Sequence, residues 1–137
     1  MRPHNERDIT IEAGRQAYEV TGLTPDDIDL LFVNDFVLPS QLLAAEELGY
    51  LPKGEGWKWV LEGRTAFDGD RPINPHGGRT AYGHAYGCSG MADVVECVLQ
   101  LRGEAGPIQV KNNPKTGMLR GLGGGQNARV EILRRVD

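Results

Sequence analysis

The chain has 137 residues, of which 39% are hydrophobic and 25% charged, an ordinary balance for one globular domain. Its net charge of -4 argues against nucleic acid as a partner, because nucleic-acid binders usually cluster Lys and Arg on one surface. No run approaches the roughly 18 apolar residues of a membrane span, and residues 1–8 are too polar for a secretory signal. We therefore expect a cytoplasmic protein that binds neither nucleic acid nor membrane.

The first half of the chain predicts helices around one buried strand. Residues 9–21 have a helical spacing of apolar side chains and end before Gly22. Residues 28–33 are apolar on both faces, which is typical of a strand buried inside a layered α/β sheet. A second helix is predicted over residues 40–48, and residues 57–61 predict a short strand.

The second half predicts one clear helix followed by two strands. Residues 89–102 form the helix, with Ser89 as its cap and with Met91, Val94, Val95, Val98 and Leu101 as its apolar stripe. Strands are predicted over residues 118–122 and 128–133, joined by a glycine-rich turn. The pattern as a whole indicates a single α/β domain.

Polar residues end the first predicted strand. Asn34 and Asp35 follow its apolar run directly. Open α/β sheets bind ligands beyond the carboxyl ends of their strands, so this is a suitable place for a site. A turn that simply stops the strand explains the same residues, because Asn and Asp favour turns.

A histidine stands among glycines just before the helix of residues 89–102. His84 follows Gly83 and precedes Gly87, so a ligand could approach it closely. Histidine is the residue type best suited to proton transfer near neutral pH, and it can also donate to an oxyanion. The helix start that follows would favour negative charge. A purely structural histidine is the alternative interpretation.

A glycine-rich loop, Gly121-Leu122-Gly123-Gly124-Gly125, separates the last two predicted strands. It does not fit a dinucleotide fingerprint, because Gln126 occupies the position of the last glycine and a strand follows. Its backbone N–H groups could instead face a carbonyl oxygen as an oxyanion hole. A plain hairpin turn remains the alternative.

The two cysteines form neither a disulfide framework nor a zinc site, and no metal is expected. Cys88 stands before a helix start, where a thiolate would be stabilised. A small packing residue is the other interpretation, and it is the one we favour. Cys97 lies within the helix and is predicted to be structural.

In this order, the motifs resemble the C-terminal domain of thiolases, most closely the sterol-carrier-protein group and its archaeal and bacterial relatives. Asn34-Asp35-Phe36-Val37 falls where that family has Asn-Glu-Ala-Phe or His-Asp-Cys-Phe. Asn74-Pro75-His76-Gly77-Gly78 resembles its Asn-Pro-Ser-Gly-Gly, and Gly83-His84 its Gly-His-Pro. Further similarity lies at Leu42-Leu43, Glu47-Leu48-Gly49 and residues 99–106.

The resemblance implies roles for three residues. Asn34 would hold a water that forms one oxyanion hole together with His84. His84 would also activate a nucleophilic cysteine, and the backbone N–H of Gly123 would serve a second oxyanion hole. The substrate would be a coenzyme A thioester, with no permanently bound cofactor.

Three positions depart from the family. The second, acid/base cysteine of thiolases falls at Gly121 or at Phe36 here, and Ala85 replaces the proline after the histidine. The nucleophilic cysteine of the family belongs to the N-terminal half, which we expect another polypeptide to supply. A thiolase-like retro-aldol lyase, using Tyr82 or Tyr86 for proton transfer, and a non-catalytic subunit are the alternatives.

The resemblance predicts that residues 1–137 form a single domain, one half of the layered thiolase fold with a mixed β-sheet between helices. We expect this half to expose apolar surface, to associate with an N-terminal half or other subunit in a homo- or hetero-oligomer, and to be inert alone.

Overall fold

The computed structural model describes residues 6–123 and 127–136, and side chains from residue 9 onward. Its helices are α1 (Glu6–Thr21), α2 (Leu38–Glu47), α3 (Gly56–Leu61), α4 (Gly78–Tyr82) and α5 (Gly87–Arg102). Its strands are β1 (Leu30–Val33), β2 (Thr116–Gly123) and β3 (Asn127–Arg134). The described sheet has the order β1-β2-β3, with β1 parallel and β3 antiparallel to β2, so it is mixed.

The sheet lies between two helical layers. On one face Leu31, Val33 and Met118 pack with residues of α2 and with Tyr18 of α1. On the other face Leu30, Phe32 and Leu119 pack against Cys97 and Leu101 of α5. Alternate residues of β1 therefore enter two different cores, which is why the whole strand is apolar. This confirms the predicted α/β fold, a mixed sheet between helices.

A loop segment extends the sheet beside β1. Ile73 forms a parallel bridge with Leu31, and the Asn74 side chain then takes the place of a strand backbone. Asn74 Oδ1 accepts the N–H of Val33 at 2.9 Å, and Asn74 Nδ2 donates to the Val33 carbonyl at 2.9 Å. These bonds fix the carboxyl end of β1 immediately before Asn34.

The predictions for α1, β1, α2, α5, β2 and β3 are confirmed to within a few residues. The short strand predicted over residues 57–61 is wrong, because this segment forms α3. The carboxylate of Glu46 accepts the N–H groups of Gly54 and Gly56, both at 2.9 Å, and so satisfies the start of the helix. That contact comes from α2 and is not visible in the local sequence.

The apolar stripe predicted for α5 is divided between two sides of the helix. Val94 and Leu101 pack toward the sheet, whereas Met91, Val95 and Val98 are exposed on the outer side. The outer apolar face of α5, as we call it, consists of Cys88, Met91, Ala92, Val95 and Val98. Such a row at helical spacing is typical of a surface that another protein segment covers.

Candidate functional site

A cavity of about 310 Å³ lies at the carboxyl ends of β1 and β2, beside the amino end of α5. Asn34, the first residue after β1, lines it together with Gly123, the last residue of β2. His84 lines it from the loop between α4 and α5. The structure thus brings together all three residues that the sequence predicted for the site.

Asn34 both closes a turn and faces the cavity. Its Oδ1 accepts the N–H of Phe36 at 3.2 Å, and its carbonyl accepts the hydroxyl of Ser40 at 2.9 Å. The turn interpretation is therefore correct as far as Oδ1 is concerned. Within residues 6–123 and 127–136 the Nδ2 group has no hydrogen-bond partner, so it is available to donate to a water or a ligand.

Asp35 has a structural role that separates it from Asn34. Its carboxylate is buried and accepts the backbone N–H of Arg79 at 2.6 Å and the hydroxyl of Thr80 at 3.1 Å. Gly78 lies so close that an added Cβ would stand 2.0 Å from Asp35 Oδ2, and its φ is +67°. Only glycine fits there. Asp35 thus fixes the start of α4 and, through it, the loop that carries His84.

The imidazole of His84 is held on both sides. Its Nδ1 lies 3.1 Å from the hydroxyl oxygen of Ser89, and its ring stacks on Phe36 with centroids 5.4 Å apart and planes within 6°. Tyr86 packs against it at 5.3 Å. Nε2 has no partner in the described part of the chain and is the ring nitrogen left for chemistry.

Ser89 is not the helix cap that the sequence predicted. Helix α5 begins at Gly87 after Tyr86, so Ser89 lies inside its first turn. Its hydroxyl oxygen accepts the N–H of Ala85 at 2.8 Å, a bond that the proline of the family pattern could not make. The hydroxyl oxygen keeps a second lone pair, so Ser89 can also accept from Nδ1–H of His84. In that arrangement Nε2 of the neutral imidazole carries no proton and can accept one.

A buried charged network, missed in the sequence, supports this loop. Arg79 donates to the carbonyl of Ser89 at 2.6 Å and forms an ion pair with Asp93. Asp93 also accepts from His76 Nε2 at 3.0 Å, while His76 Nδ1 accepts the N–H of Gly78 at 3.2 Å. The network ties α4 to α5. Its one sequence signal was an aspartate among the apolar residues of α5.

The two tyrosines considered for proton transfer are in different places. Tyr86 lines the cavity and is 84% exposed, with a strained φ of 45°. Tyr82 instead lines a groove of about 510 Å³ against the outer apolar face of α5. Partial burial raises the pKa of Tyr82, which makes its phenol a weaker acid. Only Tyr86 is placed to act in the cavity.

Neither cysteine lines the cavity. Cys88 is exposed and lines the groove on the outer side of α5, so the packing role we favoured for it is wrong within this chain. Cys97 is buried against the sheet, as predicted for a structural residue. Burial, with a smaller contribution from Glu96 and Asp93, raises the pKa of Cys97 to about 12. Its thiol is therefore unreactive at neutral pH.

The glycine-rich loop is described only in part, since residues 124–126 lie outside the described ranges. Gly123 pairs with Asn127 across the two strands, and Gly121 pairs with Arg129. At the two positions where the family has acid/base cysteines, this chain has Gly121, which carries no side chain, and Phe36, whose ring stacks on His84. The site holds a histidine, amides and backbone donors, which suits stabilisation of a developing oxyanion.

The layered α/β fold and the site at its sheet edge place this chain in the class of thiolase-like domains. Residues 3–135 match the family described as "Thiolase C-terminal domain-like", and the chain belongs to that family.

Several proteins share this similarity. The chain is 45% identical over 138 residues to the acetyl-CoA acetyltransferase of Methanothermobacter thermautotrophicus, covering 96% of this chain and 36% of that protein. It is 38% identical to the benzoylsuccinyl-CoA thiolase subunit BbsB of Thauera aromatica, over 89% of this chain and 32% of BbsB. Human sterol carrier protein 2 is 44% identical over 75% of this chain and 19% of its own length.

A solved structure shares the fold. A chain of the Ltp2-ChsH2(DUF35) aldolase superposes with a TM-score of 0.77 at 29% identity, covering 91% of this chain and 31% of that one. This chain therefore spans about a third or less of the length of the relatives it matches.

Proposed function

We propose that this chain is the C-terminal half of a thiolase-type enzyme that transfers or cleaves acyl groups on coenzyme A. The observation that carries the proposal is the meeting of Asn34, His84 and Gly123 around one cavity. The three residues come from distant parts of the sequence and occur in the order of the family motifs. A structural histidine or a plain hairpin would not require this convergence.

Each residue has a distinct part in the proposed reaction. His84 Nε2, together with a water held by Asn34 Nδ2, donates to the thioester oxygen as negative charge develops on it. The backbone N–H of Gly123 serves a second oxyanion. Preorganised donors of this kind contribute about 3 to 4 kcal/mol each to transition-state stabilisation. Ser89 and Phe36 keep the imidazole in place during the reaction.

The nucleophile comes from an N-terminal half, whether that half is joined to this chain or separate. Its cysteine passes a proton to Nε2 of His84 and attacks the thioester carbonyl, forming a new C–S bond. The Nε2–H formed in this way is the donor to the oxyanion. The bond to coenzyme A then breaks, and the leaving thiolate takes the proton back from His84. The absence of Cys88 and Cys97 from the cavity lining supports an external thiol.

The N-terminal half packs against the outer apolar face of α5 in this proposal. Met91 and Val95 are 64% and 54% exposed, and the groove beside them is lined by Tyr82 and Cys88. Burying such a face is the usual driving force of permanent association. BbsB is named as a subunit, and the aldolase is named for two components, Ltp2 and ChsH2(DUF35).

The compartment we propose is the cytoplasm. In the described ranges no helix is long and apolar enough to cross a lipid bilayer. The acidic net charge does not favour attraction to the anionic surface of a membrane.

A retro-aldol lyase is the second candidate, and the position of Tyr86 favours it. The phenol lies in the cavity beside His84 and could move a proton where the family uses a cysteine. The absence of cysteine at Gly121 and Phe36, together with the similarity to an aldolase, supports this reading. Carbon-carbon cleavage without an acyl-enzyme would need neither the nucleophilic cysteine nor the acid/base cysteine of thiolases.

Mass spectrometry of the assembled complex, quenched during turnover of an acyl-CoA, separates the candidates. A thiolase-type enzyme accumulates an acyl group on a cysteine of the N-terminal half, and this chain alone accumulates none. Carbon-carbon cleavage without any acyl-enzyme indicates the lyase. A complex that releases neither coenzyme A nor a cleavage product has this chain as a non-catalytic subunit, which would contradict the proposal.

A further inference from the structure

Resting on the proposed function, we propose a substrate class for the same cavity: acyl-CoA thioesters whose acyl group carries a carboxylate, bound by Arg129. This residue was not singled out in the sequence.

Arg129 is one of the residues that line the cavity. Arg129 is the cross-strand partner of Gly121, and paired residues of neighbouring strands point to the same face of a sheet. Its Nε lies 3.9 Å from the point where a Cβ on Gly121 would stand, and its NH2 lies 3.9 Å from the corresponding point on Gly90. The guanidinium therefore reaches from the end of β2 to the first turn of α5.

The other charged residues of the lining do not offer this positive charge. Arg79 and Asp93 form a buried ion pair with each other. Arg120 donates to Thr10 of α1, on the opposite face of the sheet. Arg129 has Glu131 as its ion-pair partner, at 3.2 Å from Nε, and both side chains are partly exposed, so water screens the pair.

The position of the guanidinium favours an anion in the cavity. Its NH2 end lies by the amino end of a 16-residue helix, which itself carries partial positive charge. An anion bound between the guanidinium and the amino end of α5 would reduce the electrostatic repulsion between these two positive groups. The chain has a net charge of -4, so this positive space is a local feature rather than a general property of the surface.

A carboxylate on the acyl group fits the size and content of the cavity. Its volume of about 310 Å³ is at the small end of ligand pockets. Asn34 and His84 line the same space, so the reacting end of the thioester occupies it and the nucleotide end of coenzyme A does not. A guanidinium binds a carboxylate through two parallel N–H donors, a geometry that a neutral acyl chain cannot use.

The test compares two matched thioesters on the assembled complex, 3-oxoadipyl-CoA and 3-oxohexanoyl-CoA, whose acyl chains end in a carboxylate and a methyl group. The wild-type complex should prefer the carboxylated thioester by about tenfold or more in kcat/KM. Arg129→Met should remove the preference by slowing that thioester only. Arg129→Lys should keep part of it, and Glu131→Gln, which frees the guanidinium, should increase it.

Equal use of the two thioesters by wild type, with no effect of Arg129→Met on their ratio, would overturn the inference. A complex that turns over neither thioester counts against the proposed function, and calorimetric binding of succinyl-CoA and butyryl-CoA then decides the substrate class. Tighter binding of succinyl-CoA that Arg129→Met abolishes supports the inference without any catalysis. Equal affinities refute it.

Discussion

The hydroxyl of Ser89 lies 3.1 Å from Nδ1 of His84 and joins the first turn of α5 to the imidazole that lines the cavity. Ser89→Ala should therefore leave the chain folded but lower kcat of the assembled complex by roughly tenfold or more, because misplacement of a catalytic group by about 1 Å is costly. The pH profile of kcat should change as well, since Nδ1 of His84 loses its hydrogen-bond partner. A tenfold loss with an unaltered pH profile would assign Ser89 a structural role only.

The outer apolar face of α5 should decide association with the N-terminal half. Val95→Glu places a charge in the centre of this face and should abolish co-purification while leaving the melting temperature of the chain nearly unchanged. Val20→Glu is the matched control, because Val20 is an equally apolar residue, 88% exposed, on α1. Loss of association with the control variant, or none with Val95→Glu, would place the interface elsewhere.

Two glycines of β2 should respond differently to an added methyl group. A Cβ at Gly117 would stand 2.4 Å from the sulfur of Cys97, whereas one at Gly121 would meet Arg129 Nε at 3.9 Å. Gly117→Ala should cost about 1–3 kcal/mol of unfolding free energy through overpacking, and Gly121→Ala should cost much less. Urea denaturation of the two variants measures this, and equal losses would show that α5 does not pack this closely on β2.

Much of this fold could be predicted because its signals are local. The spacing of apolar residues along the sequence predicts the buried strand β1 and the paired strands β2 and β3. Asn34 could be found because it ends the apolar run of β1, and His84 could be found because it stands among glycines. Long-range contacts could not be found in this way. Glu46 determines the start of α3 from another helix. Asp93 can be buried because Arg79 of α4 and His76, just before α4, pair with it.

The sequence also did not predict which side of α5 packs against the sheet. Apolar residues surround much of α5, so the sequence indicates that it is covered but not by what. The sheet covers the side of Cys97 and Leu101 and leaves Met91 and Val95 exposed. For the same reason the sequence did not reveal Arg129, whose place in the cavity depends on its pairing with Gly121.

The two cysteines should differ sharply in reactivity. Iodoacetamide at pH 8 should modify the exposed Cys88 and spare Cys97, whose pKa is raised by burial from 9.0 to about 12. Between pH 9 and 12 the unfolded chain loses the Cys97 proton and the folded chain keeps it, so the free energy of unfolding should fall as pH rises. Peptide mapping and denaturation at several pH values test both statements. Similar labelling of both thiols would mean that the α5–sheet core opens readily.

The most direct measurement of the central claim is the turnover of acyl-CoA by a complex that carries His84→Ala. Loss of the imidazole removes both the oxyanion donor and the proton acceptor, so kcat/KM should fall by roughly a hundredfold or more. The variant should remain folded and assembled, as checked by circular dichroism and size-exclusion chromatography. Cys88→Ser is the control, because Cys88 lies outside the cavity and the change replaces one atom on the outer apolar face of α5. This variant should remain assembled and retain nearly full activity. Turnover that is unchanged by His84→Ala would contradict the assignment of this cavity as the catalytic half-site.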